Sequence, residues 1–327
     1  MTHARWGILG AGDISGFFAR ALPQSELGRL HAVGARDTGR ASGFAAEHGA
    51  EIAGTYDDVL SRDDIDAVYI GTVHTTHVEL VLAALEAGKA VLCEKPLGID
   101  PIETDAALFA ADEAGLPLIE AFKYRFGPFP ELLRDLVSGG GLGEITDIET
   151  TIGFTAPTRE GRLFDPATAG GAILDAGCYP VSLAVGVAGW AGHDPGSVRV
   201  VSATGAIGET GVDESAAAVL DLDGIRARVR TSIVADLPRA ARIVGTGGTL
   251  EVPNVWGSRS ESTASAILRR PDGSVEQIET ATVSPMAAEA DATILALRDG
   301  RTEAPEMPWD ETRATARLLA DWRRALG

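Results

Sequence analysis

The sequence predicts an α/β chain, with an N-terminal doubly wound parallel sheet followed by an α+β domain built on a large, mainly antiparallel open sheet. Two observations carry the prediction. Over roughly the first 120 residues, short apolar runs alternate with helix-like segments, as parallel strands joined by crossover helices do. Beyond residue 122 the texture changes to longer segments with period-two patterning, which is how strands with one buried and one solvated face read. The division is therefore placed between two domains, 1–122 and 123–327.

Length and composition bound the rest. A chain of 327 residues has room for two domains with sizeable cores. With 28 Lys and Arg against 47 Asp and Glu, the formal charge of −19 disfavours nucleic acid or an anionic membrane as partner. It leaves open a local phosphate site, because backbone amides at a helix N-terminus can hold an anion. Cys93 and Cys178 lack C-x-x-C spacing, so neither a disulfide framework nor a zinc site is expected, and the usage fits a reducing cytoplasm. No charged start with an apolar core opens the chain, and no uninterrupted apolar stretch approaches about 18 residues, so neither export nor membrane insertion is expected.

Taken in order, Trp6-Gly7-Ile8-Leu9 reads as a buried strand and Gly10-Ala11-Gly12-Asp13-Ile14-Ser15 as a glycine turn opening a helix that carries Phe17, Phe18, Ala21 and Leu22. Gly10 permits the turn, Gly12 lets backbone approach a pyrophosphate, and the helix start supplies amides and a positive dipole end, which is the Rossmann arrangement for a dinucleotide. Ser15 replaces the usual third glycine or alanine with another small residue. Leu30-His31-Ala32-Val33-Gly34-Ala35 is the second strand, ending at Arg36-Asp37. An acid there suits a ribose hydroxyl and an arginine suits a 2′-phosphate; Arg36 follows the strand directly, which favours NADP, with NAD as the alternative. The competing reading is that both residues simply start the next helix. Ala67 to Val73 is a third buried run, leading to His74-Thr75-Thr76-His77, where Thr76 and Glu79 fit a capping box. His74 and His77 lie at a strand end and a first helical turn; no third ligand accompanies them, so cofactor-cleft lining or helix-start packing is expected and no metal. Val91-Leu92-Cys93-Glu94-Lys95-Pro96 is a buried run ending in a lysine before a proline that biases it to extended backbone. A cation at the carboxyl end of a parallel strand is aimed at the ligand crevice. Asp100-Pro101-Ile102-Glu103 starts another helix, and Leu116 to Ala121 returns as a strand.

With these residues in view, the chain resembles the family of glucose-fructose oxidoreductase, inositol dehydrogenase and MocA. The matching segments are Gly10 to Ile14, Thr72 to His77, Glu94-Lys95-Pro96, and Gly170-Gly171-Ala172-Ile173-Leu174-Asp175-Ala176-Gly177-Cys178-Tyr179-Pro180; related patterns at 120–126 and 245–250 extend the likeness over nearly the whole chain. The resemblance implies cofactor contacts at Gly10, Gly12, Asp13, Ile14, Arg36, Asp37, Thr72, His74, His77, Glu94 and Lys95, and a catalytic set of Lys95, Asp175 and Tyr179. Many members carry histidine where this chain has Tyr179; tyrosine there, and His74, are similar to the dimeric dihydrodiol dehydrogenases and NADP-dependent xylose dehydrogenases. Lys123 departs from the apolar residue of that branch.

In the second half, Ile225, Ala227, Val229, Thr231 and Ile233 alternate with Arg226, Arg228 and Arg230, one buried and one polar face. Asp223-Gly224 and Pro271-Asp272-Gly273 are turn signals. The resemblance implies a homodimer or homotetramer assembled through this sheet; a solvated arginine face is the alternative. Gly245 to Gly248 lacks the lysine and hydroxyl residue of a P-loop and reads as a sheet turn. Lys123, Arg125, Phe154 and Arg162 are candidate substrate residues.

The expected activity is a nicotinamide-dependent dehydrogenation of a hydroxyl on a sugar, polyol or cyclic diol. Tyr179 takes the hydroxyl proton, Lys95 lowers the cost of the phenolate, and Asp175 orients the substrate hydroxyl or the ammonium. The alternatives are a cofactor-binding regulatory protein that does no hydride chemistry, and a sugar–sugar oxidoreductase with tightly held cofactor.

Overall fold

The computed structural model describes residues 3–257 and 263–327. The chain divides into two compact units. The first is 1–98, 102–127 and 283–309, and the second is 99–101, 128–282 and 310–327. This differs from the linear division at 122, because the chain returns to the first unit after the second sheet is finished.

In the first unit, strands and helices alternate as β1 (Ala4–Leu9), α1 (Asp13–Ala21), β2 (Gly28–Gly34), α2 (Thr38–His48), β3 (Ile52–Gly54), α3 (Tyr56–Leu60), β4 (Ala67–Ile70), α4 (His77–Glu86), β5 (Ala90–Glu94), α5 (Pro101–Ala114) and β6 (Leu118–Ala121). The six strands are all parallel in the order β3-β2-β1-β4-β5-β6, so the expected doubly wound sheet is present. Strands β4, β5 and β6 are buried at every position, which is why they read as continuous apolar runs. One core joins Leu9, Val68, Ile70, Val81, Val91 and Leu118.

The second unit contains α6 (Pro128–Ser138), β7 (Ile145–Thr155), α7 (Cys178–Trp190), β8 (Val198–Ile207), β9 (Asp213–Leu222), β10 (Ile225–Ser232), β11 (Val234–Leu237), β12 (Ala241–Gly245), β13 (Gly248–Val252), β14 (Thr263–Arg269) and β15 (Val275–Ala281). Nine strands form one sheet, in which β7 and β10 are parallel and the other pairs antiparallel. The stretch Pro166–Trp190 is long and apolar enough to cross a membrane by composition, yet 94% of its apolar window is buried in the protein, as a core helix is. The arginines of β10 point to the opposite face. Arg226 and Arg228 both meet Asp147, Arg228 also reaches Glu149 at 2.7 Å, and Arg199 meets Asp221 at 2.6 Å. Such exposed pairs contribute roughly 0.2–1 kcal/mol each, so they keep this face polar more than they stabilise it.

Helix α8 (Pro285–Arg298) then runs along the first unit against β5, β6, β2 and α1, and α9 (Trp309–Arg324) closes the chain. The carboxylate of Asp291 in α8 accepts hydrogen bonds from Ser25 Oγ (2.5 Å), Glu26 N (3.0 Å) and Leu27 N (3.0 Å), which fixes that helix to the turn before β2.

Candidate active site

The glycine turn after β1 is shaped as the sequence predicts. Gly10 has φ +106°, and a Cβ there would lie 2.9 Å from the Gly71 carbonyl oxygen, so a side chain is excluded by backbone on both counts. Gly12 precedes α1 in extended conformation, no side chain caps the helix, and a Cβ on Gly12 would meet nothing within 4 Å. The first-turn amides of α1 therefore face open space with no protein acceptor from a capping side chain, which fits a pyrophosphate. Asp13 is exposed and Ile14 half-buried on this first turn, so their backbone amides are what the turn presents. Ser15 is fully buried and its hydroxyl donates to Gly71 O at 3.4 Å, packing α1 against the end of β4.

This geometry predicts a clean separation of stability from binding. Gly12→Val should change stability by no more than about 0.5 kcal/mol, as for a surface site, because its side chain enters empty space. NADP affinity should fall about tenfold or more, read by fluorescence titration beside a thermal melt.

At the end of β2, Arg36 is exposed, and Asp37 caps α2 by accepting from Arg40 N at 3.0 Å. The helix-start reading thus describes Asp37. Arg40, on the first turn of α2, was not singled out from the sequence. Its Nη2 donates to Ala11 O in the glycine turn at 3.0 Å. Burial raises the Tyr56 phenol above its ordinary range, while the nearby guanidinium groups of Arg36 and Arg40 oppose that rise. Two arginines and a glycine turn therefore form a cationic corner beyond β2.

The ends of β4 and β5 are tied together by His77. Its imidazole is fully buried, with Nδ1 2.9 Å from Pro96 O and Nε2 3.3 Å from Thr72 O, and burial lowers its pKa. Both ring nitrogens are thus used inside the protein, and His77 acts as a clamp at the helix start. The Thr76 capping box is absent, because Thr76 Oγ1 turns back to Thr72 Oγ1 (2.8 Å) and Val73 O (2.9 Å). His74 is buried edge-on to His77, with centroids 5.8 Å apart. Among the described residues no three His, Cys, Asp or Glu side chains gather as metal ligands.

Glu94 is also turned inward. Its Oε1 accepts from Tyr69 OH at 2.7 Å, its Oε2 lies 3.3 Å from the Lys95 amide, and it is 8% exposed. These contacts make Glu94 a buried brace, in which Tyr69 is itself stacked on Phe18 at 3.9 Å. Lys95 follows at the strand end, half-buried, with a cis bond to Pro96. Lys123 sits half-buried in the short turn after β6. Arg125 is 2% exposed and donates from Nε to Glu306 O at 3.0 Å, which anchors the returning segment.

In the second unit, Asp175 lies in a π-wound turn, Ile173–Gly177, that runs directly into α7. The sequence spacing predicts an ordinary helix; Pro180 has no N–H to offer the preceding turn, and that turn is wider. Asp175 is 9% exposed and receives Arg162 Nη1 at 2.8 Å, so two of the predicted residues meet here as an ion pair. Tyr179 is half-buried in the first turn of α7, edge-on to Trp256 at 5.6 Å, and Trp256 Nε1 is held by Thr151 O at 2.9 Å. Phe154 leans on the cluster of Phe164, Ala172, Val212 and Ile233 beside the π-turn. Lys95 belongs to the first unit, and Asp175, Tyr179, Arg162 and Phe154 to the second.

Comparison with known proteins gives consistent matches. Residues 4–122 match the model for the GFO/IDH/MocA oxidoreductase family, NAD-binding Rossmann fold, and residues 131–251 match the GFO/IDH/MocA C-terminal domain. The chain is 34% identical over 331 residues to trans-1,2-dihydrobenzene-1,2-diol dehydrogenase of Bos taurus, covering 99% of this chain and 97% of the relative. The Homo sapiens protein of the same name is 34% identical over 337 residues, with the same coverage. A 3-ketoreductase from Actinomadura kijaniata, solved with NADP and TDP-benzene, superposes with TM-score 0.88 at 26% identity, covering 99% of this chain and 98% of that one.

Proposed function

The chain belongs to the GFO/IDH/MocA oxidoreductase family, a nicotinamide-dependent line whose relatives act on diols and sugars, and on that premise we propose that it is an NADP-dependent dehydrogenase oxidising one hydroxyl of a cyclic diol or sugar. The observation that carries the proposal is the helix entry in the second unit, where buried Asp175, paired with the exposed Arg162, stands four residues before a phenol held edge-on by Trp256. A phenol so placed can take a hydroxyl proton, and an aromatic wall suits the apolar side of a ring. When bound, the nicotinamide supplies the hydride acceptor. Within the protein, the amides of α1 bind the pyrophosphate and Arg36 with Arg40 receive the 2′-phosphate. Tyr179 takes the proton, Asp175 orients the hydroxyl, and the Lys95 ammonium stabilises the oxyanion that forms.

The test is an NADP against NAD reduction assay over aldoses, inositols, sugar acids and diols, trans-1,2-dihydrobenzene-1,2-diol among them. Turnover with NADP on a diol or sugar is expected; cofactor binding with no turnover across the panel would sink the reading. A charge-assisted hydrogen bond contributes roughly 1.5–3 kcal/mol. Arg36→Ala with Arg40→Ala should therefore weaken NADP by about a hundredfold or more and leave NAD within about threefold, measured as the two dissociation constants.

A further inference from the structure

We infer that Asp213 is a positioning residue whose carboxylate caps, from the start of β9, the helix entry that presents Asp175 and Tyr179. The inference rests on the proton-transfer role proposed for Tyr179, and its geometry is independent of that role.

The π-turn opens on Ala172, which offers no side-chain cap, so the amides of its first turn need an acceptor from elsewhere. Asp213 supplies it from 40 residues away: its Oδ2 accepts the Ile173 N–H at 2.6 Å, and the Ala172 backbone also donates to this carboxylate. The approach is possible because the chain is bare at Gly171. That residue has φ +110°, and a Cβ there would lie 2.4 Å from Asp213 Oδ1. A Cβ on Gly170 would in turn strike the carbonyl oxygens of Arg162 and Leu163 at 2.5 and 2.6 Å, on the segment that brings the Arg162 guanidinium to Asp175. Thr231 Oγ1 donates to Ala172 O at 3.3 Å from the neighbouring strand β10. The two glycines thus admit a carboxylate on one side and the arginine-bearing segment on the other.

The cap is an ionisable one, and its surroundings are specific. Asp213 is 7% exposed, and burial pushes its pKa up to about 6, against the opposing pull of the backbone donors and of Arg323 from α9. The other charged groups nearby are already paired, Glu214 with Arg159 and Asp175 with Arg162. Because the folded state holds this proton to higher pH than the unfolded chain does, the stability contribution falls as pH rises from the ordinary carboxylate range through about 6, and the ionised form is a net cost above it. A group retained at a cost to stability, yet seated on the turn that carries the reacting side chains, serves their placement.

The experiment uses the full-length protein and its Asp213→Asn and Asp213→Ala variants, with trans-1,2-dihydrobenzene-1,2-diol and NADP as probes. Asp213→Asn should keep or raise the melting temperature at pH 7.5 and leave NADP affinity within about twofold, while kcat falls about tenfold or more with little change in KM, the size expected of lost alignment. Its stability should no longer decline between pH 4 and about 6. Amide hydrogen exchange should quicken over residues 172–179 and not across the second sheet. In a Tyr179→Phe background the further loss on Asp213→Asn should shrink to about twofold, since residues acting through one another are not additive. Wild-type kcat, an equal loss in both backgrounds, unchanged exchange over 172–179, or destabilisation of the whole unit each overturn the proposal. If Tyr179→Phe alone keeps normal turnover, or the diol is not oxidised, the functional reading has failed and the exchange measurement alone decides the placement.

Discussion

Tyr179→Phe is expected to lower kcat by about two orders of magnitude or more, the usual size of a lost acid–base group. The variant removes one hydroxyl and keeps the ring, so the edge contact with Trp256 and the burial of α7 persist. NADP affinity should be unchanged, because the glycine turn and the arginine corner belong to the other unit. Steady-state kinetics from pH 6 to 10, beside a cofactor titration, make the measurement. Turnover within about threefold of wild type would remove Tyr179 from the chemistry.

Lys95→Ala should cost as much, for a different reason. Its backbone is held independently of its side chain, by the Glu94 carboxylate at its own amide and by His77 at the next carbonyl, so truncation leaves the strand end in place. In the role proposed for Lys95, the lost ammonium would stabilise negative charge only as it develops, worth about a hundredfold to a thousandfold in kcat for comparable donors. Lys95→Arg should not restore activity, since a planar fork does not replace a compact point charge. A rise in KM alone, with kcat intact, would show Lys95 to be a binding group and not a catalytic one.

The fold was legible where periodicity is local. Period two in β10 and full burial in β4, β5 and β6 are written in consecutive residues, and the glycine turn carries its own conformational demand at Gly10. The members of the candidate site are marked in the sequence by local motifs, namely the glycine turn, the strand-end lysine and the Asp175–Tyr179 spacing. The hydrogen bonds that tie Glu94, His77 and Arg125 to Tyr69, Thr72 and Glu306 are not announced by spacing. Arg40 carries no helical-spacing signal from Arg36, which precedes the Asp37 cap and lies outside α2. Asp213 had no local signal at all, because its partner amide is 40 residues upstream. The return of 283–309 to the first unit was equally invisible, since an amphipathic helix states that it has a buried face but not which surface covers it.

That return sets an order of events during synthesis. A ribosome finishes β6 at Ala121 and then makes the whole second sheet before Pro285–Arg298 emerges. Until then the nascent first unit lacks the helix that lies along β5 and the Asp291 carboxylate that gathers the amides before β2. The cofactor-binding half, although encoded first, therefore reaches its finished form among the last, with the contiguous middle of the chain threaded between its two parts.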